Sequence, residues 1–458
     1  TLRKIVALHA ALGVASVADL KAAAEKGLVR TVKGFGAKTE AKILEGIEKL
    51  ETGGEQLLLN LATEEAERLL RHVRGGSAVS KAEVAGALRR RKESVARIAI
   101  VAAGAEPERI IDHFLSYPAL VHSERRDGGC RARLAPGALV ELRAVPKADY
   151  AAALLRRTGS RRHYARLEEI ARAKKVDLTA RAKTENEIYR RLGMQFVPPE
   201  LREDEGEVEA ALAGKLPRLV EYDDIQGLTH CHTVYSDGKN SVEEMALAAE
   251  ALGVKYLTIT DHSPSAFYAG GVELDRLKRQ WEEIDRAQEK VKLKLLKGTE
   301  SDILPDGSLD YPEDVLARFD IVIASIHQRH KMDAAQMTRR IVKAMSLPFF
   351  KIWGHPLGRL IASRPPLDCD MEKVLDAIAG ANAAIEVNGD PHRLDLEPRW
   401  IRAARERGIR FLISTDAHST RALGYLRYGV DMARRGGLTR EEVLNALPQK
   451  AFAEAVHP

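Results

Sequence analysis

The sequence predicts a multidomain α/β protein whose second half is a parallel sheet wrapped by helices. Three observations predict it. At 458 residues the chain exceeds what one ordinary core can hold, so several domains are expected. After Tyr222, short apolar runs alternate with helix-forming stretches, the pattern of parallel α/β folds. Before that point strands and helices do not alternate, and the two halves are separated by Phe196-Val197-Pro198-Pro199-Glu200-Leu201-Arg202-Glu203, whose prolines and charges read as a linker.

Taken in order, residues 1–50 read as short helices joined by a Gly-rich turn, and 57–75 as a helix with leucines at helical spacing. Between about 78 and 145, Ala96–Val101 and Leu139–Val145 read as strands, and 147–193 returns to helix. Domain boundaries are therefore expected at 1–75, 76–195, a linker over 196–225, and 226–458. In the last segment seven strand-like runs can be read: Ile225–Thr229, Tyr256–Thr260, Leu293–Lys297, Ile321–Ser325, Phe349–Trp353, Ala384–Val387 and Arg410–Ser414. Helix-forming sequence such as Val242–Leu252 and Met371–Ala379 lies between most of them.

Composition narrows the classes of function. No apolar run approaches the ~20 residues of a membrane span, and the amino-terminal residues lack the layout of a secretory signal. Without an initiator Met, the chain reads as lacking its natural beginning. Three widely spaced cysteines, Cys130, Cys231 and Cys369, argue against a disulfide scaffold, so the cytoplasm is expected. The net charge of +6 permits a polyanionic partner. Basic runs at Arg89-Arg90-Arg91-Lys92, Arg125-Arg126, Arg156-Arg157 and Arg161-Arg162 all fall in the first half.

Every one of the seven runs is followed by a potential ligand or polar site residue. They lead in turn to His230, His232 and Asp237; to Asp261 and His262; to Glu300; to His327; to His355; to Glu386 and Asn388; and to Asp416 and His418. Working residues in alternating barrels gather at the carboxyl ends of strands. Residues two apart in an extended chain share a side, so His230 pairs with His232, and Asp416 with His418. Imidazole and carboxylate together suit Zn²⁺, Mn²⁺ or Fe²⁺. Nine candidates (His230, His232, Asp237, His262, Glu300, His327, His355, Asp416, His418) exceed the needs of one ion, so two or three divalent ions are expected with Glu300 as bridge. Glu300, Asp416 and His355 are the residues expected to carry catalysis. Such a cluster fits hydrolysis at phosphorus, supplying hydroxide near neutral pH and neutralising phosphate charge. Arg393, Arg359 and Lys239 are available for the phosphate, Arg393 foremost. His9, His72, His113, His122 and His457 fall outside the pattern and read as ordinary surface or core histidines, with His330 and His392 intermediate.

The combination His230-Cys231-His232-Thr233, Ser236-Asp237-Gly238, Thr260-Asp261-His262-Ser263, Gly354-His355-Pro356 and Ser414-Thr415-Asp416-Ala417-His418 resembles the PHP (polymerase and histidinol phosphatase) superfamily over roughly 226–455. That resemblance implies a distorted seven-stranded barrel of TIM-like type with three ions. One would lie on His230, His232, Glu300 and Asp416, a second on Glu300, His327 and His355, and a third on Asp237, His262 and His418. Leu228-Thr229 replaces the family's Asp-Leu before the first histidine, which removes no ligand.

The first half resembles bacterial family X DNA polymerases, which carry a PHP domain at their carboxyl end. Val32-Lys33-Gly34-Phe35-Gly36-Ala37-Lys38-Thr39 looks like a helix-hairpin-helix, where Gly34, Gly36 and Lys38 would meet a DNA phosphate. Gly159 and Ser160 match the nucleotide-binding turn, and Pro198-Pro199-Glu200-Leu201-Arg202-Glu203 matches the connecting segment. An α+β nucleotidyltransferase-like palm is implied, with an amino-terminal lyase-like domain missing. The palm departs from its pattern. Gly86-Ala87-Leu88-Arg89-Arg90 stands for Gly-Ser-x-Arg-Arg, Arg97 and Ala99 stand where two aspartates belong, and Glu141 takes the third place. Nucleotidyl transfer needs carboxylates to hold two Mg²⁺, so an inactive palm without Mg²⁺ is expected, and nucleotide binding with it is in doubt. The resulting reading is a metal-dependent 3′→5′ exonuclease acting on gapped, nicked or 3′-recessed DNA in repair. Alternatives are a still-active repair polymerase edited by the barrel, or a histidinol-phosphatase-like phosphomonoesterase.

Overall fold

The computed structural model describes all residues except 1, 54, 55, 136 and 329, and the side chains at 2–4, 18, 45, 46 and 48–53 also lie outside the description. The chain divides into two compact units. The first comprises Thr1–Leu57, Leu61–Leu88 and Ser94–Arg157; the second comprises Leu58–Asn60, Arg89–Glu93 and Thr158–Pro458.

The first unit opens with helices Leu2–Leu12, Val17–Glu25 and Ala37–Gly53, packed on a small core of Leu8, Ala23, Ala24, Val29 and Phe35. Ser16 and Asp19 close a capping box at the second helix, which fixes its start. A mixed sheet follows, with strands β1 (Val79–Ala85), β2 (Arg97–Gly104), β3 (Leu120–Arg126), β4 (Gly129–Leu134) and β5 (Leu139–Pro146), in the order β1-β2-β5-β4-β3. β2 and β5 run parallel in register Ala99↔Glu141, and the other pairs are antiparallel. The helix Pro107–Leu115 buries Ile110, Ile111 and Phe114. β2 and β5 form where apolar runs predict them. The β3–β4 hairpin has no such signal, because β3 is exposed along nearly its whole length and carries no apolar run.

The second unit begins with helices Arg161–Lys174, Glu185–Arg191 and Glu207–Leu212. Residues 196–225, expected as a linker, are built into this unit: Val197, Arg202, Val208 and Val220 are fully buried. Arg202 holds Glu185 at 2.5 Å, and Arg89 reaches the same carboxylate at 2.7 Å. His163 pairs with Glu207 at 2.6 Å and with the Tyr189 hydroxyl at 2.9 Å. The run Arg89–Lys92 is likewise tied within this unit, Arg90 and Lys92 to Glu203 and Arg91 to Asp431. It is therefore not a free basic face.

Seven parallel strands then follow in simple sequential order: β6 (Gly227–Leu228), β7 (Tyr256–Ile259), β8 (Lys294–Asp302), β9 (Ile321–Ser325), β10 (Lys351–Trp353), β11 (Ala383–Asn388) and β12 (Phe411–Ser414). β7, β9, β10 and β12 are buried throughout, as parallel strands covered on both faces must be. Beyond the first and last strands, Cys231 and Ala417 form a parallel bridge: the His232 amide donates to the Ala417 carbonyl and the Ala417 amide to the His230 carbonyl. The sheet is thereby drawn into a nearly closed barrel. Its amino-terminal end is filled by Tyr256, Leu296, Ile321, Ile352, Ala384 and Leu412, plugged by Phe452 and Val456 of the last helix, Gln449–Val456. Apolar filling at that end leaves the carboxyl ends to the polar residues.

Candidate metal centre

All nine donors predicted from the sequence meet at the carboxyl end of this barrel. They fall into four overlapping groups whose ligand atoms lie within 4.8 Å of one another: His230, His232 and Asp416; His230, Glu300 and His355; His262, Glu300 and His327; and His232, Asp237, His262 and His418. Glu300 stands at the centre. Its Oε1 lies 2.7 Å from His355 Nε2 and 3.2 Å from His327 Nε2. Its Oε2 lies 3.3 Å from His230 Nε2, 3.5 Å from His232 Nε2 and 3.0 Å from His262 Nδ1. Asp416 Oδ1 is 3.2 Å from His232 Nε2 and 3.6 Å from His230 Nε2. Asp237 Oδ1 is 3.2 Å from His418 Nε2 and 3.6 Å from His262 Nε2. Donors about 3.3 Å apart are the edges of a tetrahedron around an ion roughly 2.0–2.1 Å from each.

The donor atoms also lack other partners. His230 Nε2, His232 Nε2, His262 Nδ1 and Glu300 Oε2 are buried without a hydrogen bond, which is costly unless a ligand satisfies them. The residue set therefore fits divalent ions, with one Glu300 oxygen facing each of two centres.

Three of the candidate ligands are held in left-handed backbone: His230 (φ 59°), His355 (φ 25°) and Asp416 (φ 49°). Such conformations strain a non-glycine residue by ~1–3 kcal/mol and survive only where the surroundings enforce them. Here the chain leaves a strand and must turn its next side chain into the barrel mouth.

Surrounding carboxylates aim the imidazoles. Glu386 accepts from His230 Nδ1 at 2.5 Å and from the His355 amide, and Asn388 donates to both Glu386 (3.1 Å) and Asp416 (3.3 Å). Asp302 accepts from His327 Nδ1 at 2.6 Å. Asp261 accepts from Thr233, Ser236 and Gln280, bracing the segment after His232. Sequence reasoning noticed Glu386, Asn388 and Asp261 without assigning them roles, and missed Asp302 altogether. Asp302 stands two residues beyond Glu300 on β8, so the same alternation would have found it.

The electrostatics follow from this crowding. Burial works against the charge on His327, but Glu300 and Asp302 overcome it and raise the imidazole to about 10. Burial and the neighbouring His418 and His262 depress His232 to about 4. Burial opposes ionisation of Glu300 and Asp416, yet the ring of histidines holds both carboxyls well below the usual range. Arg393 Nε is 3.2 Å from Asp416, and its Nη1 is buried with no hydrogen-bond partner. Arg359 is not available as a phosphate ligand. It is spent on Glu93 (2.6 Å), Glu397 (3.0 Å) and the Leu394 carbonyl (2.6 Å).

The other predicted site residues are not members of these donor groups. Gly34 has φ 91° and Gly36 opens the helix Ala37–Gly53, with Lys38 exposed. Ser160 caps the helix Arg161–Lys174 through His163, while its amide donates to the Arg202 carbonyl, so both groups are engaged in the fold. Gly159 is required because a Cβ there would lie 2.9 Å from the His163 ring. His72 and His113 stack at 4.4 Å and bond each other's carbonyls, as structural histidines do. His330 bonds the His327 carbonyl, and His392 bonds Asp390. All three cysteines are free. No described helix is long and apolar enough to cross a membrane.

A nearly closed parallel barrel with a histidine–carboxylate cluster able to hold metal ions at its carboxyl end is the architecture of a PHP domain. Residues 229–389 match the PHP domain, and residues 153–203 match the DNA polymerase beta thumb. The DNA polymerase/3′-5′ exonuclease PolX of Bacillus subtilis (strain 168) is 34% identical over 97% of this chain and 80% of its own length. A "probable phosphatase" of Thermoanaerobacter sp. (strain X514) is 30% identical over 47% of this chain and 89% of its own, and one from Shewanella sediminis (strain HAW-EB3) is 26% identical over 48% and 89%. The chain belongs to the family X DNA polymerases that carry a PHP domain.

Proposed function

We propose that the barrel hydrolyses the terminal 3′ phosphodiester of DNA, as a 3′→5′ exonuclease in repair, and that the sheet of the first unit no longer polymerises. The observation that carries the hydrolytic reading is Glu300, whose two oxygens each face a separate set of histidine nitrogens. His230, His232, Glu300 and Asp416 would hold one ion, Glu300, His327 and His355 a second, and Asp237, His262 and His418 a third. Mn²⁺, Zn²⁺ and Fe²⁺ all suit these donors. Bound there, they would supply hydroxide near neutral pH and offset the charge of the phosphate. The chain does the rest. Glu386 and Asp302 fix the orientation of His230 and His327, and Arg393, whose buried Nη1 has no hydrogen-bond partner, would donate to a phosphate oxygen.

Two features favour a polynucleotide over a small ester. His418 and Asp237 are the most open members of the cluster, at 36% and 38% exposure. The short helix Phe267–Ala269 follows His262 in the chain and carries Phe267 and Tyr268, which are 78% and 58% exposed. Bases stack on such faces for ~1–3 kcal/mol each. The relative named PolX combines polymerase and 3′-5′ exonuclease in its name, and this chain matches most of its length but lacks the expected palm carboxylates. In the palm, Arg97 and Glu141 pair at 3.4 Å, and Arg131 holds the same oxygen at 2.6 Å. Arg89 and Arg90, the arginines of the Gly86-Ala87-Leu88-Arg89-Arg90 stretch, are engaged with Glu185 and Glu203.

The test is digestion of a 3′-recessed duplex labelled at its 5′ end, compared with a small phosphate ester. His355→Ala and Asp416→Ala should abolish digestion and leave DNA binding nearly intact. Digestion at the wild-type rate by both variants defeats the hydrolytic assignment. Primer extension by a digestion-dead variant supplied with triphosphates defeats the inactive palm, and preference for the small ester returns the barrel to a phosphomonoesterase.

A further inference from the structure

One face of the first unit's sheet gathers charged side chains. Directly paired residues share a side of a sheet, so the registers place Ala99, Glu141, Arg131 and Glu124 in one row across β2, β5, β4 and β3. The next row is Val101, Arg143, Gly129 and Arg126, and Arg97 stands two residues before Ala99 on the same face. A cavity of about 220 Å³ opens over these rows, lined by Arg97, Arg126, Arg131, Arg143 and Arg157 against only two carboxylates, Glu141 and Asp127. That is some seven times the roughly 30 Å³ share of one water, room for a phosphate group with bridging waters.

We propose that this cavity is an arginine-lined anion site that takes a phosphate group directly, with no divalent ion between protein and ligand. Glu141 is already neutralised, its Oε1 lying 3.0 Å from Arg131 Nε, 2.6 Å from Arg131 Nη2 and 3.4 Å from Arg97 Nη1. A divalent cation entering here would meet five guanidiniums against Asp127 and the already paired Glu141. An anion meets the opposite situation. Arg157 has no hydrogen bond or ion pair among the described residues, and Arg97 keeps 55% of its side chain exposed beside its one long contact. Burial, together with the like charges of Arg143, Arg156 and Arg97, holds Arg157 below its ordinary range despite Glu141. A guanidinium cannot relieve that crowding by losing its proton at neutral pH, and a phosphate relieves it with paired N–H···O bonds.

The backbone leaves space for this arrangement. Gly128 has φ 61°, and a Cβ on it would lie 2.7 Å from the Arg143 guanidinium carbon. A Cβ on Gly129 would run to 2.2 Å from the Leu142 carbonyl. The β3–β4 turn thus crosses close over β5 at Gly128 and Gly129, where a Cβ would clash, and contributes only the Asp127 side chain to the lining. Either a DNA backbone phosphate or a free polyphosphate presents the chemistry this site recognises.

The experiment uses the full chain with its barrel loaded and unbound divalent ions removed by dialysis. The two probes are inorganic tripolyphosphate and a 3′-recessed duplex with a phosphorothioate 3′ end. Arg157→Ala and the double variant Arg97→Ala/Arg157→Ala remove side chains exposed enough to spare the fold, which thermal melting checks, and Arg157→Lys restores the charge without the fork. If the site accepts polyphosphate, the double variant loses at least tenfold in tripolyphosphate affinity. If it accepts DNA, duplex affinity falls and the log–log salt slope drops by about 0.9 for each phosphate no longer neutralised. Either loss supports the proposal and names its source. Hydrolysis of a small ester by the barrel stays at the wild-type rate in these variants. The proposal is overturned if neither probe distinguishes the double variant from wild type, or if the loss appears only after Mg²⁺ is added.

Discussion

Replacing Glu300 by Gln keeps the size of the side chain and removes the charge shared by both halves of the cluster. Glu300 Oε1 faces His327 and His355, while Oε2 faces His230, His232 and His262, so one substitution weakens two centres at once. Losing a residue that merely orients a ligand lowers metal affinity by about 10–100-fold. Losing a ligand from each of two centres should cost at least that much twice, on the order of 10²–10⁴-fold in activity, or ~2.7–5.5 kcal/mol. Asp302→Asn is the matched comparison, because Asp302 touches only His327 among the nine donors and should cost a single factor of about 10–100. Metal content per chain after dialysis, measured beside digestion of a 3′-recessed duplex, reads both variants. The bridging argument fails if Glu300→Gln keeps the full wild-type metal content and digestion rate, or if Asp302→Asn is the more damaging of the two.

Other expectations follow from single contacts. Glu185→Gln leaves Arg202, which is fully buried, without its charged partner; breaking such a pair costs ~3–5 kcal/mol, readable as a lower urea midpoint. Burial opposes the charge on Glu185, but Arg202 and Arg89 hold its carboxyl below the ordinary 4.5. Its contribution to stability is therefore complete above about pH 4.5 and is lost as pH falls through the folded value, so the Gln variant should match wild type only at the acid end. Arg393→Lys keeps the charge and loses the fork, and should raise KM for DNA about tenfold with less effect on the metal content. Phe267→Ala and Tyr268→Ala should raise KM for DNA by about 5–100-fold while leaving a small ester unaffected, since stacking contributes ~1–3 kcal/mol per base. Equal losses on both substrates would show that these rings shape the site and hold no base.

The barrel was legible because its physics is periodic. Each strand is short, apolar and closed by a polar residue at the same end, so the positions of nine donors could be read without knowing how the strands close. Alternation along an extended strand is not what brings the first two donors together. His230 and His232 do converge on Asp416, but the strand expected over Ile225–Thr229 is only Gly227–Leu228, and His230 sits beyond it in left-handed backbone. β8 erred the other way. Expected to end at Lys297, it continues through Gly298-Thr299-Glu300-Ser301-Asp302, because polar residues can occupy a strand when the barrel mouth satisfies them. Apolar counting cannot see that, nor a hairpin strand exposed along nearly its whole length, nor a proline-rich segment anchored by a buried arginine such as Arg202.

The two sheets of this chain meet phosphate chemistry from opposite directions. In the barrel, buried carboxylates and imidazoles converge with several ligand atoms that have no hydrogen-bond partner, an arrangement suited to cations. In the first unit, Arg97 and Ala99 stand where the family pattern leads one to expect aspartates, and Glu141 is clasped by two guanidiniums. Arg97 and Ala99 set only part of the sign of this site, and the arginines gathered around them by the strand register set the rest. Restoring the carboxylates alone, by Arg97→Asp with Ala99→Asp, should not restore primer extension. Arg126, Arg131, Arg143 and Arg157 would still surround the new pair, and Arg89 and Arg90 would remain bound to Glu185 and Glu203. Extension by that double variant at a rate comparable to its digestion of the same duplex would show that the two positions by themselves decide whether this sheet works as a polymerase.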